Sequence, residues 1–200
     1  INDEKMQNVI EQMKEDNIKF IRLQFEDING TVKNIVIPFN GEDMAELFNE
    51  GMLFDGSSIA GFVGVNDSDL VLKPDIDTYS RLSWRPEESA TCRFICDIWT
   101  PEKKPFAGDP RGVLKKSLSH IAEMGLQYNI GPEPEFFIVD IDENGYPMPY
   151  DDAGYFDVEP VDKGTDFRRE ITTNLQELGF EVEASHHEVG PGQNEIAFKF

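Results

Sequence analysis

Ile21-Arg22-Leu23-Gln24-Phe25-Glu26, with Asn29-Gly30 just behind it and Val32 to Phe39 beyond, sets the architecture of the first half of the chain. Ile21, Leu23 and Phe25 alternate with Arg22, Gln24 and Glu26, the period-two pattern of a strand with one buried face. Asn29-Gly30 can supply the two positive φ angles of a type I′ turn, so Val32 to Phe39 returns as the antiparallel partner. Upstream, Met6, Val9, Ile10 and Met13 recur at helical spacing and predict an amphipathic helix over residues 2–16. Downstream, a short helix is expected over 42–50, a glycine-rich loop from Gly51 to Gly64, and short strands up to Trp99. Cys92 and Cys96 share one face of the last of these strands. They would lie about 13 Å apart, too far for a disulfide or a shared metal. Buried free thiols follow, in keeping with a reducing, cytoplasmic setting.

The 200 residues allow one domain or two small ones. Thirty-nine acidic against eighteen basic residues give a net charge of −21. That field would repel a polyanion and argues against a nucleic-acid partner; it is also what adaptation to a saline habitat would produce. With 39% hydrophobic and 11% aromatic residues the chain can bury a core. No apolar run approaches the roughly 20 residues of a membrane span, and no charged-then-apolar leader opens it. Ile1 in place of methionine, and a closing stretch from Asn194 to Phe200 that reads as a strand, suggest a piece of a longer protein.

Composition shifts at Thr100-Pro101-Glu102-Lys103-Lys104-Pro105, a polar linker. Asp109-Pro110 starts a helix with Asp at the cap and Pro at the first helical position. Leu114, Leu118 and Ile121 would be its buried stripe and Gly125 its end. A strand is expected over 127–141, turned at Asn144-Gly145. A third helix is expected over 166–178, with Phe167, Ile171, Leu175 and Leu178 inward. Strands over 180–188 and 194–200 follow. The pattern is α+β: a small β-rich domain over 1–104, then the start of a second over 105–200.

Three segments carry candidate chemistry. In Gly131-Pro132-Glu133-Pro134-Glu135-Phe136-Phe137, residues two apart share a face, so Glu133 and Glu135 project together. Two readings stay open there: an acidic edge in an acidic protein, or two ligands of a cation that offsets their repulsion. In the second segment, Glu181 to Glu195, a Gly190-Pro191-Gly192 turn would fold two strands together and bring Glu188 towards Glu195. Glu183 falls on the other face unless the strand bends. Clustered carboxylates suit Mg²⁺ or Mn²⁺, not zinc. His186 and His187 read as ordinary hydrogen-bonding residues. The third segment, Phe54 to Phe62, holds Asp55, Ser57 and Ser58 in a small-residue loop, either a serine-capped turn or a functional loop. Neither a P-loop nor a dinucleotide fingerprint occurs, so a bound nucleotide would need metal-bridged carboxylates.

FDGSSIAGF (54–62), GPEPEFF (131–137) and HHEVGPGQNEIAFKF (186–200), together with PFAGDPRGVLKK (105–116) and AGYFDVEPVD (153–162), resemble type I glutamine synthetase. The resemblance spans essentially the whole chain. It implies an N-terminal β-grasp domain and the first part of a catalytic domain with a curved antiparallel sheet. It also implies ATP-dependent ligation of ammonia to L-glutamate through γ-glutamyl phosphate, in a homo-dodecamer of two hexameric rings with sites between subunits. By motif, Glu135, Glu188 and Glu195 would hold one Mg²⁺ or Mn²⁺ and Glu133 the second. Glu183 would contact the nucleotide. Asp55, Ser58, Tyr155 and Glu188 would form the ammonium pocket, with Asp55 as the base serving the adjoining subunit, and Asp69 nearby. Lys199 and Phe200 would fall near the adenine. Gly64 stands where some relatives carry an arginine used in feedback inhibition, which puts that control in doubt. The glutamate- and phosphate-binding arginines are expected outside these residues, so this segment alone should make no glutamine. A γ-glutamyl-polyamine ligase of the same superfamily and a catalytically silent structural homologue are the alternatives.

Overall fold

The computed structural model describes residues 3–41 and 43–199. Asn2 and Glu42, expected to open two helices, and Ile1 and Phe200 lie outside the described residues. By its internal contacts the chain divides into two compact units, Ile1–Tyr128 and Asn129–Phe200.

The first unit runs α1 (Asp3–Glu15), β1 (Phe20–Glu26), β2 (Val32–Pro38), α2 (Met44–Glu50), β3 (Met52–Asp55), β4 (Asp69–Pro74), β5 (Ser80–Arg81), β6 (Thr91–Trp99) and α3 (Pro110–Glu123). Its sheet has the order β2-β1-β6-β4-β3, with β5 also on β6. β1 and β6 are parallel; the other pairs are antiparallel. The alternation in β1 is realised: Ile21, Leu23 and Phe25 are buried with Phe94 and Ile98 of β6 and with Met6, Ile10 and Met13 of α1. Cys92 and Cys96 sit in this core as free thiols. Burial pushes the Cys92 thiol up to about 12 and Cys96 upward as well, so neither supplies a reactive thiolate.

The hairpin forms, but its turn differs from the type I′ expectation: Gly30 has φ +76° and Asn29 is not in the left-handed region. The reason is Asp27. Its Oδ1 accepts from the N–H groups of Asn29 (2.9 Å) and Thr31 (3.0 Å). These bonds, Thr31 first, hold its carboxyl below the usual range. With the side chain closing a wider loop, one left-handed residue suffices. The device recurs at Asp142-Glu143-Asn144-Gly145-Tyr146, where Asp142 Oδ1 accepts from Asn144 (2.9 Å) and Tyr146 (2.8 Å).

Two other expectations are corrected. Met52 to Asp55 is strand β3, not loop, because Gly51 (φ +83°) turns the chain out of α2 directly against β4. Leu114 and Leu118 of α3 are 51% and 38% exposed. The helix is held to the sheet by charge instead. Arg111 reaches Asp97 (2.5 Å) and Asp75 (2.7 Å), and Lys115 reaches Asp97 (2.7 Å).

The start of α3 is as expected: buried Asp109 caps it, accepting from Arg111 N–H (3.1 Å), and also accepts from Ile98 N–H of β6 (3.0 Å). Asp109→Ala removes the cap and orphans a buried amide. A loss of about 2–3 kcal/mol is expected, read by urea denaturation; a loss under about 0.5 kcal/mol would show the cap to be dispensable.

The second unit contains β7 (Glu135–Phe137), β8 (Val139–Ile141), β9 (Pro147–Pro149), α4 (Thr165–Glu177), β10 (Val182–His187) and β11 (Gln193–Phe198). β10, β11 and β7 form an antiparallel sheet in that order; β8 and β9 form a hairpin. The strand expected from residue 127 begins only at Glu135. Pro132 and Pro134 have no N–H to donate, yet their carbonyls accept from Phe198 and Ile196 of β11. Helix α4 also departs from expectation. Phe167 and Ile171 are 45% and 37% exposed, and its buried residue is Arg168. Leu175 and Leu178, also expected inward, are half-buried, and the buried side chain of α4 is the Arg168 guanidinium.

Candidate functional site

The register of the three-stranded sheet brings the candidate acids together. Glu195 of β11 lies directly opposite Glu135 of β7 and opposite His186 of β10. Cross-strand partners share a face, so the three form one row across the sheet. His187 and Asn194 form the neighbouring pair and point to the other face, where both are buried. There Asp151 Oδ1 lies 2.9 Å from His187 Nε2 and accepts from Gly192 N–H at 3.0 Å. Asn194 Oδ1 accepts from Arg168, which also pairs with Asp162. These polar contacts pin the hairpin from behind and fix what its front face presents.

The Gly190-Pro191-Gly192 turn does what the sequence suggests. Gly192 has φ +69°, and a Cβ there would fall 2.7 Å from the Ile138 carbonyl oxygen, so only glycine fits. Glu188 N–H donates to the Gln193 carbonyl (2.8 Å). Glu188 thereby reaches the His186–Glu195 row: His186 Nδ1 is 3.6 Å from Glu188 Oε1 and Nε2 is 3.5 Å from Glu195 Oε2. The side chains of Glu188 and Glu195 are only 13% and 12% exposed. The Glu195 carboxyl is raised above the usual range by desolvation, then by a hydrogen bond with Glu188, with Glu133 and Glu188 repelling its charge and His186 opposing them. Carboxyls held this close together repel one another and make a natural cation site. One donor atom from each of His186, Glu188 and Glu195 lies within 4.8 Å of the others. Oxygen-rich donors of this kind suit a hard divalent ion.

Glu135 is exposed and receives a hydrogen bond from Gln193 Nε2 (2.6 Å). Glu133 is exposed and near enough to repel Glu195. Glu183 is exposed, at a register shift between Val182 and Ala184. Tyr155 stacks on Phe156 (3.9 Å) and meets His186 edge-on (5.5 Å between centroids). His187 is the core hydrogen-bonding residue expected. The position of His186 in the acid cluster was missed, although its two-residue spacing from Glu188 signals a shared side.

Asp55 and Ser58 belong to the first unit. Asp55 is opposite Asp69 across β3 and β4. Its carboxylate is held below the usual range first by the Ser57 hydroxyl (2.6 Å) and Ser57 N–H (2.9 Å), and less by Ser58. Lys199 lies 3.7 Å from Glu181. Among the described residues no helix is long and apolar enough to cross a membrane.

Comparison with known proteins agrees with this layout. The β-grasp domain of glutamine synthetase matches residues 17–101, and its catalytic domain matches residues 107–200. Glutamine synthetase of Methanocaldococcus jannaschii is 51% identical over 98% of this chain and 45% of that protein. That of Clostridium saccharobutylicum is 47% identical over 97% of this chain and 44% of that protein. The chain thus spans less than half the length of these relatives. Among solved structures, Plasmodium falciparum glutamine synthetase superposes with a TM-score of 0.79 at 22% identity, over 97% of this chain and 44% of that one. A GmaS/ADP complex gives 0.80 at 22% identity, over 96% and 44%. With both domains of the family matched in order along residues 17–200, and relatives of that name about half identical over nearly all of it, the chain belongs to the glutamine synthetase family.

Proposed function

We propose that the full-length protein ligates ammonia to L-glutamate with ATP, through γ-glutamyl phosphate, and that this segment supplies its acidic half-site. The supporting observation is the sheet register that aligns Glu135, Glu195 and His186 and draws in Glu188. In this reading Glu135, Glu188 and Glu195 hold one Mg²⁺ or Mn²⁺, and Glu133 a second. The ions would supply charge neutralisation for phosphoryl transfer, which needs positioning more than covalent help. Glu183 contacts the nucleotide. Asp55, Ser58, Tyr155 and Glu188 receive ammonium. Asp55 attracts the cation as a carboxylate kept ionised by Ser57 and accepts its proton as the amine attacks. A cytoplasmic homo-dodecamer with inter-subunit sites, a domain boundary at 104/105, and absence of synthetase activity from this segment alone belong to the same proposal.

An amine panel with the full-length protein tests it. ATP-dependent product formation should be highest with ammonium and weak with methylamine or a polyamine. Preference for a polyamine would move the assignment to a γ-glutamyl-polyamine ligase. No turnover with any amine would favour a silent homologue.

A further inference from the structure

We propose that Gln193 is a positioning residue for Glu135, holding its carboxylate towards the shared cation site; the inference rests on the metal reading above. Glu135 is exposed, on a three-residue strand at the edge of its sheet. A free glutamate there would sample several rotamers, most of them pointing away from Glu195. Gln193 removes that freedom. It sits two residues before Glu195 on β11, on the same face, opposite Phe137 and therefore diagonal to Glu135. Its Nε2 donates to Glu135 Oε2 at 2.6 Å.

The amide cannot turn over. Its Oε1 accepts from Gly190 N–H at 3.0 Å, so a flipped amide would set N–H₂ against N–H. Gly190 leaves just the space this needs: a Cβ there would lie 2.9 Å from Gln193 Oε1. The turn that brings Glu188 to the cluster thus also orients the group that aims Glu135. Outer partners of this kind tune affinity through a ligand without touching the ion.

The test is Mn²⁺ titration by calorimetry on the full-length protein, with the melting temperature of the metal-free protein measured alongside. Gln193→Met keeps the shape and removes both hydrogen bonds. About tenfold weaker Mn²⁺ binding with unchanged melting is expected. Unchanged Mn²⁺ affinity would overturn the inference. Glu135→Gln is the control. If it abolishes or strongly weakens binding while Gln193→Met does not, Gln193 alone is misassigned; if it binds Mn²⁺ as the parent does, the metal reading fails and the inference with it. Should Gln193→Met not fold, Gln193→Glu retains the acceptor for Gly190 N–H and loses the donor to Glu135. A fall in affinity then supports positioning; an equal or higher affinity overturns it.

Discussion

Arg168→Ala is expected to destabilise the second unit by about 3–5 kcal/mol, the usual result of removing one partner from a buried ion pair. Arg168 and Asp162 are 5% and 2% exposed. Through Nη1 and Nη2 the guanidinium bonds both Asp162 oxygens, and Nη1 also reaches Asn194 Oδ1. Without it, Asp162 keeps Gly164 N–H and the Thr165 hydroxyl but loses its counter-charge. Asn194 loses its donor while still bonded to Gly192. The hairpin would loosen on the face that sets the register of Glu188 and Glu195.

The pH dependence has a definite sign. Burial raises the Asp162 carboxyl, but the Arg168 and Gly164 hydrogen bonds outweigh it and the net position is below the ordinary value of 3.8. A depressed carboxyl contributes stability in full above the ordinary value, lost as pH falls through the folded one. The parent's resistance to urea should therefore weaken as pH drops below about 4, and the Arg168→Ala variant should show less of that weakening. A loss under 1 kcal/mol at neutral pH would mean that the pair is not what holds α4 to the sheet.

Much of this was legible in the residues. The alternation at Ile21, Leu23 and Phe25 placed β1 and its partner, and Asp109-Pro110 fixed the start of α3, because local periodicity and capping carry those signals. The inward faces of α3 and α4 were legible only in part: Ile121, Leu175 and Leu178 are half-buried as expected. Leu114, Leu118, Phe167 and Ile171 have helical spacing, but which face docks was decided by Arg111 finding Asp75 and Asp97 and by Arg168 finding Asn194, partners distant in sequence that no local pattern encodes. Asn29-Gly30 misled because Asp27 closes the loop with its side chain. At the site, the motifs named the acids, while their meeting depends on β11 lying between β7 and β10. The β7–β11 pairing joins residues about sixty apart and brought Gln193 onto Glu135, while the local β10–β11 hairpin brought His186 opposite Glu195.

Glu195→Gln is expected to lower glutamine formation by the full-length protein more than about 100-fold, beyond the usual loss for an outer partner of a metal ligand. The amide keeps the shape and can still hydrogen-bond, but one carboxylate of the proposed cation site is gone. Metal-free stability should move the other way. Glu195 is a desolvated acid beside Glu188 and Glu133, and its raised carboxyl means that ionisation opposes folding as pH rises above the ordinary value. Replacing it relieves that repulsion, so the melting temperature without metal should be equal or higher. Function lost with stability kept is the signature of a site that stores strain for a ligand. A variant that melts earlier and retains turnover would assign Glu195 to the scaffold.

The most direct measurement is anomalous scattering at the manganese edge from crystals of the full-length protein grown with Mn²⁺. The account predicts one peak bound by the carboxylates of Glu135, Glu188 and Glu195 and a second bound by Glu133. Density elsewhere, or none with those four side chains turned out to solvent, would contradict it.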